Sequence, residues 1–368
     1  FIAPVIASPG CFCMSSTHAT YRKYYNDPQD LVAKLQNLVE NRENYAGSEL
    51  FLQMFERVFR LVGDETYSAD LKMLNHALLE LRYAFKVFAP YRSVRKVSVF
   101  GSARTGKDRP EYQLAKRFSN RVTSQGYMVI TGAGPGIMEA AQGGAGRARS
   151  FGVNIRLPFE SKANEVIEND PKLIHFKYFF TRKVCFLKET DAVVIFPGGF
   201  GTHDEAFESL TLVQTGKSHL VPIVFVDRPG GTYWSAWLDY IRTHLRDEGY
   251  IDGFDESLFH VTDSAEDAVN VVTGFYRNYH STRYVRPLQV IRMNYPAGDS
   301  LLERLNREFR DIVVSGKIER LPAALEAEKD EPQTADLHRI AFRFNRKSYG
   351  RLRALIDVLN LEPEPPQG

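Results

Sequence analysis

The sequence predicts a doubly wound α/β fold, in which a parallel sheet is covered on both faces, with a helical layer before it and a small α+β module after it. Three observations lead there. Short apolar strands alternate with helical stretches from Lys96 to about Ser281, three of those strands end in glycine-bearing loops, and the flanking segments follow other patterns. Strand–helix alternation sets strands parallel, because a crossover back to the same edge takes about the length of a helix.

The elements follow in order. From Asp30 to about Tyr91, apolar residues recur at three and four in DLVAKLQNLVENRE, ELFLQMFERVFRLV and ADLKMLNHALLELRYAFKVF, and only NYAGS and GDETYS interrupt them. This predicts a helical layer packed on its neighbour or on another subunit. KVSVF, YMVIT, GVNIRL, DAVVIF, HLVPIVFV and SLFHVT then read as strands. Between them EYQLAKRFSNRVTSQG, GIMEAAQGGAGRA, TRKVCFLKET, THDEAFESLTLVQTG and YWSAWLDYIRTHLRDEG read as helices. From Arg283 onward RPLQVIRMNY and HRIAFRFNR read as strands, SLLERLNREFRD and SYGRLRALIDVLN as helices, and LEAEKDEPQTAD as an exposed loop. DIVVSGKIERL is a candidate further strand, and the order suggests a split-βαβ arrangement. The expected divisions are residues 1–95, 96–282 and 283–368, with a disordered EPEPPQG tail.

Composition narrows the function. Apolar content of 43% and charged content of 25% describe an ordinary globular chain. A net charge of +2 supports neither a nucleic-acid partner nor a membrane surface. No apolar run approaches the roughly 20 residues that span a bilayer. Cys11, Cys13 and Cys185 cannot form a disulfide framework, which points to a reducing cytoplasm, and no short-spaced Cys/His set predicts a metal. The opening FIAPVIASPGCFC lacks a basic region and an initiator Met, and reads as the edge of a fragment and not as a cleavable signal.

The chemistry is expected in the loops. VFGSARTGKD, TGAGPGIMEAA and FPGGFGTHDE each follow a strand, so they converge on one edge of the sheet, where a phosphate-bearing ligand binds. Two simpler readings are weak. Gly101–Lys107 nearly matches a nucleoside-triphosphate loop, but Asp108 replaces the hydroxyl that would meet magnesium. GAGPG has the look of a dinucleotide fingerprint, yet the next strand ends in Pro158 where a ribose-binding acid is needed.

FPGGFGTHDEAFE carries the densest signal. Thr202-x-x-Glu205 has capping-box spacing, so Glu205 is either a cap or a reagent. A cap alone does not account for Gly198, Gly199 and Gly201 ahead of it, nor for Glu208 on the same helix face. The preceding helix carries Arg182 and Lys183, a candidate anion clamp.

PGGFGTHDE fits PGGxGTxxE and follows an Arg-Lys helix; with the GSAR and GAGPGIMEAA loops, residues 96–280 resemble the LOG (Lonely Guy) family of nucleoside 5′-monophosphate phosphoribohydrolases, whose members often carry a lysine decarboxylase label. The resemblance implies a Rossmann-like fold, a homodimer or larger homo-oligomer, no metal and no pyridoxal phosphate. It implies hydrolysis of the N-glycosidic bond of AMP or a cytokinin nucleotide. Arg182 and Glu205 match the catalytic pair, and Lys183 the residue beside the arginine. Gly198, Gly199, Gly201 and Thr202 match the phosphate loop; Gly101 and Ser102 match the first nucleotide loop, and Gly132, Gly134, Gly136 and Met138 the second. Phe179 stands where many members have Met, and His203-Asp204 replaces the usual Leu-Glu, which turns the expectation from cytokinins toward AMP. Glu208 is expected to support Glu205. The alternative function is a nucleotide-binding regulator without hydrolysis, using the same loops.

Overall fold

Side chains alternate across a strand, so each strand of a covered parallel sheet supplies two cores. A computed structural model describes residues 47–156 and 162–361, with positions 33, 36, 37 and 40. The DLVAKLQNLVENRE helix falls almost wholly outside the described residues, as do Cys11, Cys13, Pro158 and the EPEPPQG tail. The chain divides into two units, Phe1–Asn75 and His76–Gly368. The first contains helix α1 (Ser48–Gly63), on which no residue is buried, and the start of α2 (Ser68–Phe88).

The second unit holds a seven-stranded sheet of order β4-β3-β2-β1-β5-β6-β7, every pairing parallel. The strands are β1 (Lys96–Phe100), β2 (Met128–Thr131), β3 (Ser150–Ile155), β4 (Leu173–Phe176), β5 (Ala192–Ile195), β6 (Ile223–Val226) and β7 (Phe259–Thr262). Val97, Val99, Val129, Val194 and Val224 face one layer, built from α3 (Pro110–Ser124), α4 (Ile137–Ala145) and a later helix, Ala265–Gly274. Met128, Ile130, Val193, Ile195 and Phe225 face the other. There they meet α2, α5 (Phe179–Glu189), α6 (Phe200–Gln214) and α7 (Tyr233–Tyr240). The helix Ala265–Gly274 is α8. It and edge strand β4 are absent from the sequence reading: LIHF is short and interrupted by a polar residue, and Ser264 caps α8 through the Asp267 amide. Rossmann-like alternation is therefore the architecture of this unit.

The C-terminal sheet, of order β10-β11-β9-β8, has only antiparallel neighbours; β9 and β10 run the same way on either side of β11 and are joined through the helix Asp299–Glu308, which is the split-βαβ arrangement expected, with β8 added at the edge. It comprises β8 (Tyr279–Val285), β9 (Leu288–Met293), β10 (Glu319–Leu321) and β11 (His338–Phe342), with α9 (Asp299–Glu308) and α10 (Tyr349–Leu361). The first strand went unread because most of YHSTRYV is only half-buried and its pattern is polar. LEAEKDEPQTAD is not simply exposed. Arg292 and Arg339 sit opposite each other on β9 and β11, both buried, and Glu328 from that loop reaches in to pair with each. Two buried guanidiniums side by side need a carboxylate.

Candidate functional site

Strand order reverses between β1 and β5, and the loops leaving their carboxyl ends diverge there. A cleft of about 880 Å³ opens at that point. Of the residues singled out from sequence, Gly101, Ser102, Met138, Arg182, Gly198, Gly199, Gly201, Thr202 and Glu205 line it. Lys183, Glu208, Gly132, Gly134 and Gly136 do not line it.

Helix α6 begins three residues earlier than capping-box spacing requires. Gly199 is the N-cap, and its carbonyl accepts from the Thr202 amide at 3.0 Å and the His203 amide at 3.1 Å. Thr202 is then the third helical residue, no side chain caps the helix, and Glu205 falls on the second turn. The Phe200 and Gly201 amides precede these bonds and have no carbonyl a turn earlier in the helix to accept from them; both residues line the cleft, a position that suits an anion. Thr202 and Glu205 are both buried. Desolvation pushes the Glu205 carboxyl up to about 7; Arg182 and Lys183 pull it down, while Glu208 and Asp204 push it further up.

Arg182 projects from α5. Its Nε donates to the Val153 carbonyl at 2.9 Å, and its guanidinium lies 5.3 Å from the centre of the Phe186 ring. Burial lowers its pKa, and the Glu205 charge works in the opposite direction. The second glycine loop makes room for this side chain. A Cβ at Gly132 would stand 2.6 Å from Arg182 Nη2 and 2.8 Å from Met138 Sδ, and one at Gly134 would stand 2.7 Å from Met138 Cε. Gly136 has φ +67°, with the Ser102 carbonyl against the place of its missing side chain. These three glycines therefore serve the close approach of the protein's own groups, not an open nucleotide surface. Lys107 of the triphosphate-like loop likewise turns to Glu139, at 2.7 Å.

Lys183 takes a different place from the anion clamp expected of it. Its Nζ bridges Asp204 at 2.8 Å and Glu208 at 2.7 Å, which ties α5 to α6. Burial works against this ammonium, but those two carboxylates hold its pKa above the ordinary value. Glu208 accordingly meets Lys183, and its charge helps to raise the Glu205 carboxyl.

A family profile described as possible lysine decarboxylase, which is the LOG family, matches residues 137–272. A cytokinin riboside 5′-monophosphate phosphoribohydrolase of Mycobacterium tuberculosis is 29% identical over 160 residues, which cover 43% of this chain and 82% of that protein. The profile match falls in the α/β unit, which is similar to proteins of the LOG family. A pyrimidine/purine nucleotide 5′-monophosphate nucleosidase of Escherichia coli strain K12 is 26% identical over 147 residues, 38% of this chain, and the match spans about a third (32%) of that protein's length. A molybdenum cofactor carrier protein of Chlamydomonas reinhardtii aligns with 49% of this chain and 96% of its own at 19% identity, with a TM-score of 0.34.

Sequence reasoning missed several residues in and around this cleft. Arg104 lines the cleft, exposed, from within the quoted GSAR loop. Phe200, 96% exposed, stands at the cleft beside Phe179. Glu80 is buried and accepts from the Lys177 amide and the Thr181 hydroxyl, both at 2.6 Å, which anchors the start of α5. Tyr233, from α7, donates to the Gly198 carbonyl. Only Arg104 and Phe200 lay within motifs; Glu80 and Tyr233 arrive from distant parts of the chain. Among the described residues, no group of three or more His, Cys, Asp or Glu is arranged to hold a metal, and no helix is long and apolar enough to cross a membrane.

Two outcomes follow from this geometry. Gly132→Ala displaces a flexible arginine end and no backbone, so the variant keeps a near-native melting temperature while cleft activity falls at least tenfold. A melting temperature lowered in step with activity would contradict this. Glu205 titrates near 7 in the folded chain against 4.5 unfolded. The folded state therefore holds a proton through that interval that the unfolded state releases, and stability declines as pH rises from 4.5 to 7. Glu205→Gln removes this penalty: it is more stable than the parent by roughly 2–3 kcal/mol at pH 8, and equal to it at pH 4. Denaturant titrations at the two pH values measure it.

Proposed function

We propose that this protein hydrolyses the N-glycosidic bond of a nucleoside 5′-monophosphate, AMP or a close relative, to free base and ribose 5-phosphate. One observation carries the reading. A single cleft brings together an open helix N-terminus, a buried carboxyl on the second turn of that helix and a half-buried guanidinium from the neighbouring one. The names of the mycobacterial and E. coli relatives support the same reaction class.

In this reading the 5′-phosphate sits on the first-turn amides of α6 and the Thr202 hydroxyl, with Arg104 as a further cation at the rim. That anchorage holds the ribose against Glu205 and replaces a chance encounter with a positioned one. Arg182 grips phosphate or ribose oxygens; a guanidinium presents several fixed donors, and the Val153 carbonyl already fixes its plane. As the glycosidic bond breaks, positive charge grows on the sugar. Ionised Glu205 stabilises that charge and takes the proton of the attacking water. About 4 kcal/mol of such stabilisation corresponds to roughly a thousandfold in rate.

Subunit pairing is part of the proposal. Beyond Asn75, α2 packs on α5 through Glu80, and Leu78, Tyr83, Phe85, Phe180 and Val184 remain exposed along the two helices. An apolar surface of this kind suits a second copy of the chain.

Release of base from a panel of nucleoside monophosphates, including an N6-substituted adenine nucleotide, tests the reaction. Turnover is expected with AMP, to rise with pH through about 7 as Glu205 ionises, and to be lost in Glu205→Ala and Arg182→Ala with the fold intact. Tight AMP binding without released base would favour the regulator. In sedimentation velocity the parent chain is expected to run as a dimer or larger species and Leu78→Glu as a smaller one; a monomeric parent overturns the pairing.

A further inference from the structure

We propose that Tyr233, held by His203, is a positioning residue that keeps the peptide between Gly198 and Gly199 turned so that its N–H, and not its carbonyl, faces the bound phosphate. The inference rests on the nucleotide reading above and adds a residue to it from outside the motif.

The argument begins with peptide geometry. In a trans peptide the carbonyl of one residue and the N–H of the next point in opposite directions, so fixing one aims the other. The Tyr233 hydroxyl donates to the Gly198 carbonyl. Gly199 lines the cleft and opens α6 as its N-cap. With the carbonyl drawn toward α7, the Gly199 N–H points the other way and joins the donors of the first helical turn. A flipped peptide would put a carbonyl oxygen beside those donors, and oxygen repels an anion.

Glycine makes this control necessary. Gly198 and Gly199 lack the side chains that restrict most residues to one orientation, so the loop turns easily between alternatives. The site needs glycine at 198, because a Cβ there would collide with Thr202 and approach the Ser102 amide at 3.0 Å. The freedom that close packing brings is thus removed from outside, by a hydrogen bond.

His203 completes the device. A tyrosine hydroxyl has one proton, and it goes to Gly198; the 2.7 Å contact with His203 Nε2 is therefore donated by the histidine. The imidazole is ringed by Tyr233, Trp234 and Phe207, with centroids 5.9, 5.7 and 6.3 Å away. Burial lowers its pKa, so it stands as the neutral ring with the proton on Nε2 at neutral pH. His203 lies on α6 and Tyr233 on α7, so the chain of two hydrogen bonds ties the cradle to a second helix.

The test separates phosphate recognition from recognition of the base. Binding of inorganic phosphate and of free adenine is measured by calorimetry on the full chain, with the parent, Tyr233→Phe, His203→Gln and His203→Leu. Loss of one hydrogen bond to the loop predicts about a tenfold weaker phosphate affinity in Tyr233→Phe, with adenine affinity unchanged and KM for AMP raised more than kcat is lowered. His203→Gln, which retains a donor, is expected to stay near the parent, and His203→Leu to fall toward Tyr233→Phe. Equal phosphate affinity in Tyr233→Phe and parent overturns the positioning role while leaving the nucleotide reading intact. Equal losses of phosphate and adenine binding also overturn it, since they report a general collapse of the cleft. A parent chain that binds neither phosphate nor AMP overturns the nucleotide reading, and the positioning role with it.

Discussion

A buried carboxyl and a half-buried guanidinium share one cleft at the mouth of a sheet, and the rest of the site is arranged to keep both in place without letting them neutralise each other. Burial favours the uncharged form of Glu205, and the Arg182 charge opposes that. A direct, well-formed ion pair would depress the carboxyl far below neutrality. The arginine is instead engaged elsewhere, by the Val153 carbonyl and by the space at Gly132. Its charge is felt by Glu205 while its donors keep their plane. The carboxyl consequently titrates near neutral pH, the range in which a general base is useful.

Support for this pair comes from groups that never touch the cleft. Glu80 secures the first turn of α5, and Lys183 binds α5 to α6 through Asp204 and Glu208. At its far end α6 is followed by Gly216, where a side chain would collide with the Tyr349 ring of the C-terminal module. The core on this face of the sheet runs without a break into that module, through Tyr279, Ile291 and Leu355. The module is therefore part of the backing of the helix that carries Glu205.

The glycines divide by physical role. Gly132, Gly134 and Gly136 admit the protein's own side chains and backbone, whereas Gly199 and Gly201 have nothing within 4 Å of the place a side chain would occupy. Both kinds look alike in the amino-acid text. The first kind builds the wall of the cleft and the second leaves it open. Exposed Phe179 and Phe200 line that opening with planar apolar faces.

Much of this was legible in the residues alone. The β-α alternation specified the parallel sheet, because apolar strands of four to six residues between amphipathic helices leave few other ways to cover both faces. The PGGFGTHDE stretch and the Arg-Lys helix located the cleft, since local backbone needs at a helix start are written in local residues. Short, half-polar elements such as β4 and β8 were not legible, because their pairing partners stabilise them more than their own pattern does. Nor was the side-chain traffic: Lys183 toward Asp204 and Glu208, Glu80 toward α5, Tyr233 toward Gly198, Glu328 between two arginines. Sequence by itself determined the alternation of strands and helices and the presence of a glycine-rich turn at the start of α6. Tertiary structure alone decided which charged groups face the cleft and which spend themselves on one another, because that choice depends on contacts between residues from about 20 to 100 positions apart in the chain.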